Sequence, residues 1–131
     1  MGTPIPYKLR ELIVTWTNKT TGTDVVPDSI VNKEGESLTV ANGIDVSQAK
    51  SIHVEVDTTA ALHVATSVDV NLYLGLQAGT RQTTRNTGVD AIVDEKIQGV
   101  AVTAGARRLF PTLDHNTGGR ADVVARVLIR I

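Results

Sequence analysis

Three histidines come first, because neutral imidazole binds metals and moves protons near neutral pH. His53 alternates with Ile52 and Val54, which turns it outward beside Glu55. His63 lies between Leu62 and Val64, and His115 falls in the turn-rich segment Asp114–Gly119. A metal needs three or four ligands meeting at one point. His53 and His63 facing each other across a hairpin, with Glu55 or Asp57 nearby, is one arrangement that would supply them; solvated strand histidines are the ordinary alternative. The acids offer less. Asp94 and Glu95 are adjacent, so a strand points them to opposite faces. Asp24 and Asp28 flank Pro27 in a loop. Asp90 and Asp94 are close enough to meet around Ca²⁺, but no D-x-[DN]-x-[DN]-G spacing surrounds them. No G-x-S-x-G elbow, G-x-x-x-x-G-K-[ST] loop or G-x-G-x-x-G turn occurs. Gly75–Gly79 follows a strand but leads into no helix. The chain has no Cys, so thiolate chemistry and disulfides are excluded. No catalytic, cofactor-binding or metal residue is nominated, and the chain reads as non-enzymatic.

The arginines point toward contacts instead. Arg81 and Arg85 sit in the long polar segment Gln77–Gly88, and Arg107 and Arg108 precede Phe110. Residues 1–66 carry five Lys/Arg against eight Asp/Glu; residues 67–131 carry eight against six. This split suits contacts between copies or with an acidic partner. The net charge is only -1 and aromatics make up 3% of the chain. A nucleic-acid binder wants more positive charge and more stacking rings, so no nucleic-acid partner is expected. A sugar platform wants coplanar rings. Here Trp16 and Phe110 read as core, leaving Tyr73. Asn18-Lys19-Thr20 matches a glycosylation sequon. With no charged and then apolar leader visible, it reads as chance in a Thr-rich loop.

These side chains must be held by strands. Val, Thr and Ile number 18, 17 and 9 of 131 residues, and β-branched residues favour strands. Leu9–Thr17 puts Leu12, Val14 and Trp16 on one face. Asp24–Val31 is interrupted by Pro27, so any strand there is short or at an edge. Ser37–Ala41 is a short strand followed by Asn42-Gly43, a tight-turn pair. Ile52–Asp57 alternates cleanly. Thr58–Thr66 has Leu62 and Val64 able to extend a strand. Ser67–Leu76 holds Val68, Val70, Leu72, Leu74 and Leu76 on one face, a period of two that a helix would scatter. Ala91–Val93, Ile97–Val102 and Arg107–Leu113 are further strands. Asp122–Ile131 turns Val123, Ala125, Val127, Ile129 and Ile131 inward. No segment offers ten residues of helical periodicity, and no apolar run exceeds three residues, so no membrane-spanning helix is expected. The expected fold is all-β: an antiparallel two-sheet sandwich, jelly-roll-like, over residues 9–131. Residues 1–8 form an extended arm, with Pro4 and Pro6 excluding helix. It is either a loose terminus or a strap docking on a neighbouring subunit through Ile5 and Tyr7.

The stretch Lys50–Leu76, the Gly-rich turn after it, and Ala121–Ile131 resemble small β-sandwich proteins of tailed-phage virions, the head decoration (cement) type. The resemblance rests on strand rhythm, Thr/Val/Ala richness, absence of Cys and a proline-bearing arm. It implies a structural protein of the virion, assembled in the host cytoplasm, that binds the major capsid protein or another virion protein, often as a homotrimer. Contacts are then expected at Pro4, Ile5, Pro6, Tyr7, Arg81, Arg85, Arg107 and Arg108, with no cofactor, no nucleic acid and no membrane. A carbohydrate- or receptor-binding module, and a neck or tail component, are the alternatives.

Overall fold

Leu12, Val14 and Trp16 do bury together, on one face of β1 (Leu9–Lys19). A computed structural model of the protein describes residues 9–57, 68–82, 85–90, 97–100, 105–115 and 120–131. After β1 come β2 (Gly22–Val25), β3 (Ser29–Asn32), β4 (Ser37–Leu38), a short 3-10 turn (Val40–Asn42) and β5 (Ile44–Asp45). Then follow β6 (Ser51–Asp57), β7 (Val68–Gly75), β8 (Thr87–Asp90), β9 (Ile97–Val100), β10 (Arg108–His115) and β11 (Ala121–Arg130).

Two antiparallel sheets pack face to face. The larger runs β4-β3-β1-β11-β6-β9; the smaller runs β2-β10-β7-β8, with β5 also on β10. Without the β3–β5 excursion, the chain fills β1-β11-β6-β9 and β2-β10-β7-β8, changing sheet at every step except from β7 to β8, the double Greek key of a jelly roll. Among the described residues the hydrophobic cluster between the sheets is aliphatic apart from Trp16, which is fully buried. Its indole N–H donates to the Val25 carbonyl at 2.8 Å. That bond satisfies the one polar atom of the ring and ties the larger sheet to β2 of the smaller one. Pro27 is the break between β2 and β3. It cannot donate to a ladder, and the chain uses it to cross from one sheet to the other.

Several expectations shift. The strand expected over Ser37–Ala41 shrinks to β4, because Val40–Asn42 winds into the 3-10 turn. Asn42-Gly43 therefore ends a helical turn rather than making a hairpin; only Gly43 takes positive φ, at 75°. Leu76 is 63% exposed rather than core. β7 stops at Gly75, whose α-carbon is pressed against the Thr80 carbonyl. His115 is not in a turn: it ends β10 and is buried. Phe110 leaves the core for the outer face of the smaller sheet, half-buried. The arm residues Pro4, Ile5, Pro6 and Tyr7, the His63 segment, the strand expected over Ala91–Val93, and Asp94-Glu95 lie outside the described residues.

Candidate functional site

On β7 the alternation that buries Val70, Leu72 and Leu74 points Asn71 and Tyr73 outward. On β10 it sends Phe110 and Thr112 to the same side, with Phe110 paired to Tyr73 and Thr112 to Asn71. Yet Asn71, Tyr73 and Thr112 are buried. What covers them is polar. Asp24 of β2 holds φ at 49°, and its Oδ1 accepts hydrogen bonds from the Tyr73 hydroxyl and from Thr112 Oγ1, each at 2.9 Å. Arg81 Nη2 stands 3.6 Å from the other carboxylate oxygen, and its guanidinium lies 3.8 Å from the Tyr73 ring centroid. Arg85 Nη1 donates to Asn71 Oδ1 at 2.9 Å. The Asp24 N–H donates to an Asp114 carboxylate oxygen at 2.7 Å.

Burial alone would raise the Asp24 pKa. The hydrogen bonds from Tyr73 and Thr112, then the Arg81 charge and Asn71, outweigh it and hold the carboxyl below its ordinary range. Burial, with the Asp24 hydrogen bond and charge behind it, pushes the Tyr73 phenol up despite Arg81. A phenol harder to ionise, donating into a carboxylate, is a poor base or nucleophile. Through its hydrogen bonds and the Arg81 contact the cluster acts as a clamp. It pins the edge strand β2 and the segment carrying Arg81 onto the sheet.

Beside the clamp the sheet is open. β7 pairs with β10 along its whole length. On the other edge β5 meets only Arg108 and Leu109, and β2 pairs with Leu113 and His115. The Val46 N–H donates to the Arg107 carbonyl; counting by two along β10 puts the main chain of Pro111 on that same edge. Pro111 thus stands where no strand asks for its missing N–H. The gap holds a cavity of about 190 Å³, lined by Val26, Pro27, Val40, Ala41, Phe110 and Pro111 among others. Phe110 is gripped edge-on: a Cβ at Gly43 or at Gly75 would come within 2.7 Å of its ring.

Comparison with family models, with curated proteins and with solved structures finds no match.

The four arginines of the sequence reading divide into two groups. Arg81 and Arg85 belong to the clamp face. Arg107 and Arg108 lie at the end of the sandwich where β1 begins. Two shallow grooves meet there through Asp45 and Ser47: one reaches Arg10, Ala49 and Ile131, the other Leu76, Arg107 and Arg108. Asp45 is fixed in place. The Ser47 N–H and hydroxyl bond it, and with Arg108 and Arg10 nearby they lower its pKa against the cost of burial. Arg10 Nη1 donates to the Asp45 carbonyl at 3.0 Å. His53 is exposed on the outer face of the larger sheet. Among the described residues no three His, Asp or Glu side chains converge on a metal position. Sequence reasoning missed Asp24, Asn71, Tyr73 and Thr112 as a unit. The outward alternation of Asn71 and Tyr73 was the available signal; Asp24 sits 49 and 88 positions from its hydroxyl partners.

Proposed function

We propose that this chain is a structural protein of a virion, of the head decoration type, which binds the capsid lattice and stabilises it through many protein–protein contacts. The observation that carries the reading is the jelly-roll strand order, an architecture used for viral capsid domains. Two further features support the fold analogy. Asp24, Asp28, Asp45 and Glu11 are bound in internal ties. The end of the sandwich at which residues 1–8 join β1 carries the adjoining grooves with Arg107 and Arg108. In this reading the arm (Pro4, Ile5, Pro6, Tyr7) and the arginines make the contacts, the partner is the major capsid protein or another virion protein, and the copies associate as a homotrimer. Each contact is weak, and many copies on one lattice add through multivalency.

The test is co-sedimentation with purified capsids. Removing residues 1–8 deletes no residue of β1–β11; the expected result is unchanged thermal unfolding while capsid association falls about tenfold or more. Unchanged association overturns the arm's role; failure of the intact chain to bind any head of its own virus overturns the virion reading itself.

A further inference from the structure

The gap beside Pro111 has the character of a peptide slot. Val26, Pro27, Val40, Ala41, Phe110 and Pro111 give it an apolar wall. Val26 stands 64% exposed on its rim, an apolar side chain left to water. The wall is preformed, because Gly43 and Gly75 leave the Phe110 ring no room to swing. The nearby polar groups, Arg81 and Thr112, are already engaged by Asp24. At about 190 Å³ the cavity falls short of the roughly 300–1,000 Å³ of small-molecule sites. It fits a few side chains from an extended strand of protein. Slots walled by aromatic rings hold proline-rich segments, which lose little entropy on binding because they are already extended.

The chain carries such a segment: Thr3-Pro4-Ile5-Pro6-Tyr7. We infer that the groove beside Pro111 receives Pro4–Tyr7 from a neighbouring copy, with Ile5 as the inserted side chain. The inference rests on the reading of the chain as a self-associating virion protein, and it names what joins the copies. A neighbour's groove is favoured over the chain's own by direction. β1 starts at Leu9, paired with Arg130 at one end of the larger sheet, so residues 1–8 are joined to the sandwich at that end. Reaching its own groove would require the chain to double back along the sandwich. Pro4 and Pro6 bias Thr3 and Ile5 to extended conformations, which leaves Tyr7-Lys8 alone to make the reversal. Eight extended residues span roughly 25 Å, enough to cross between bodies in contact.

The experiment uses the full chain with a benzophenone amino acid at position 5. Copies labelled with ¹⁴N and ¹⁵N are mixed, irradiated and mapped by mass spectrometry; light scattering gives the solution mass. The expected result is cross-links between differently labelled copies, to residues 26–27, 40–41 or 110–111. The double variant Val26→Glu/Ala41→Glu changes two rim positions, one of them exposed Val26 and the other exposed Ala41. It should lose those cross-links and fall to a monomer while its unfolding temperature holds. Cross-links only within one copy, cross-links elsewhere, or an oligomer that survives the double substitution overturn the groove assignment. If the double variant still oligomerises and still binds capsids, the virion reading stands without it. If the unsubstituted chain is monomeric at every concentration, the groove assignment and the self-association both fall.

Discussion

Asp24 holds a left-handed backbone, a conformation that Asp and Asn tolerate better than other side chains. That twist brings its carboxylate over Tyr73 and Thr112, where with Arg81 and Arg85 it covers the polar residues on the outer face of the smaller sheet. Hydrogen bonds to a charged group contribute about 1.5–3 kcal/mol. Asp24→Ala should therefore cost about 2 kcal/mol in urea unfolding, and Tyr73→Phe about 1 kcal/mol. The two act on one bond, so the double substitution should cost less than their sum; strict additivity would mean that the hydroxyl does not bind Asp24. The pH dependence follows in sign. The folded carboxyl lies below its ordinary value of 3.8, so its contribution is complete above that value and is lost as pH falls through the folded pKa. Asp28, held down by Lys19 and then by the Thr17 N–H against burial, and Asp45 act in the same direction. The part of the stability that these three carboxylates supply should stay level from about pH 7 to about pH 4 and fall below that. Asp24→Asn, which keeps the backbone preference and removes the charge, should flatten the acid limb. None of this was legible around position 24. Locally, Asp24 is an acid three residues before a proline, and its partners lie on strands far along the chain.

Strands were legible where one face is buried and the other wet. The period of two named the inward residues of β1, β6 and β11, and Val70, Leu72 and Leu74 of β7, because a sandwich strand must put every second side chain into the core. The reading failed where a tertiary contact ended a strand early or gave a large side chain another home. Leu76 continues the alternation of β7, but Thr80 folds over Gly75 and stops it. Phe110 looks like core by type, and two glycines distant in sequence make its slot on the outer face. Gly75 is thus the critical position of this element. A Cβ there would collide with the Thr80 carbonyl and meet the Phe110 ring at 2.7 Å. Gly75→Ala should cost about 2 kcal/mol, as overpacking does, lowering the unfolding temperature by roughly 8 °C. Gly35 separates packing from backbone strain. Its φ is 87° with nothing within 4 Å of a Cβ, so Gly35→Ala should cost only about 1 kcal/mol. A loss at Gly75 no greater than that at Gly35 would show that Thr80 and Phe110 give way, and that their contacts do not set the cost there.

The jelly-roll path makes the chain depend on its most distant pairing. Leu9 lies opposite Arg130 and Trp16 opposite Val123, so β1 and β11 are side by side inside the larger sheet, with β6 on the far flank of β11. No local contact can stand in for that pairing, and the closure entropy must be met before it forms. Folding should accordingly take milliseconds to seconds, as in other β-sandwiches. The same arrangement predicts how the native state opens. Amides of β1, β11 and β6 have strands on both sides and a buried face, and should exchange only by global unfolding, while those of the two-residue edge strand β4 exchange far sooner. Val127 tests this. It is fully buried and lies between Leu12 of β1 and Val54 of β6. Val127→Ala removes about 2 kcal/mol of packing. If the three strands open as one unit, the slowest amides in all of them should speed up together, by ~30-fold. Acceleration confined to β11 would mean that the strand frays alone, and that the centre of the larger sheet is not the cooperative unit of this fold.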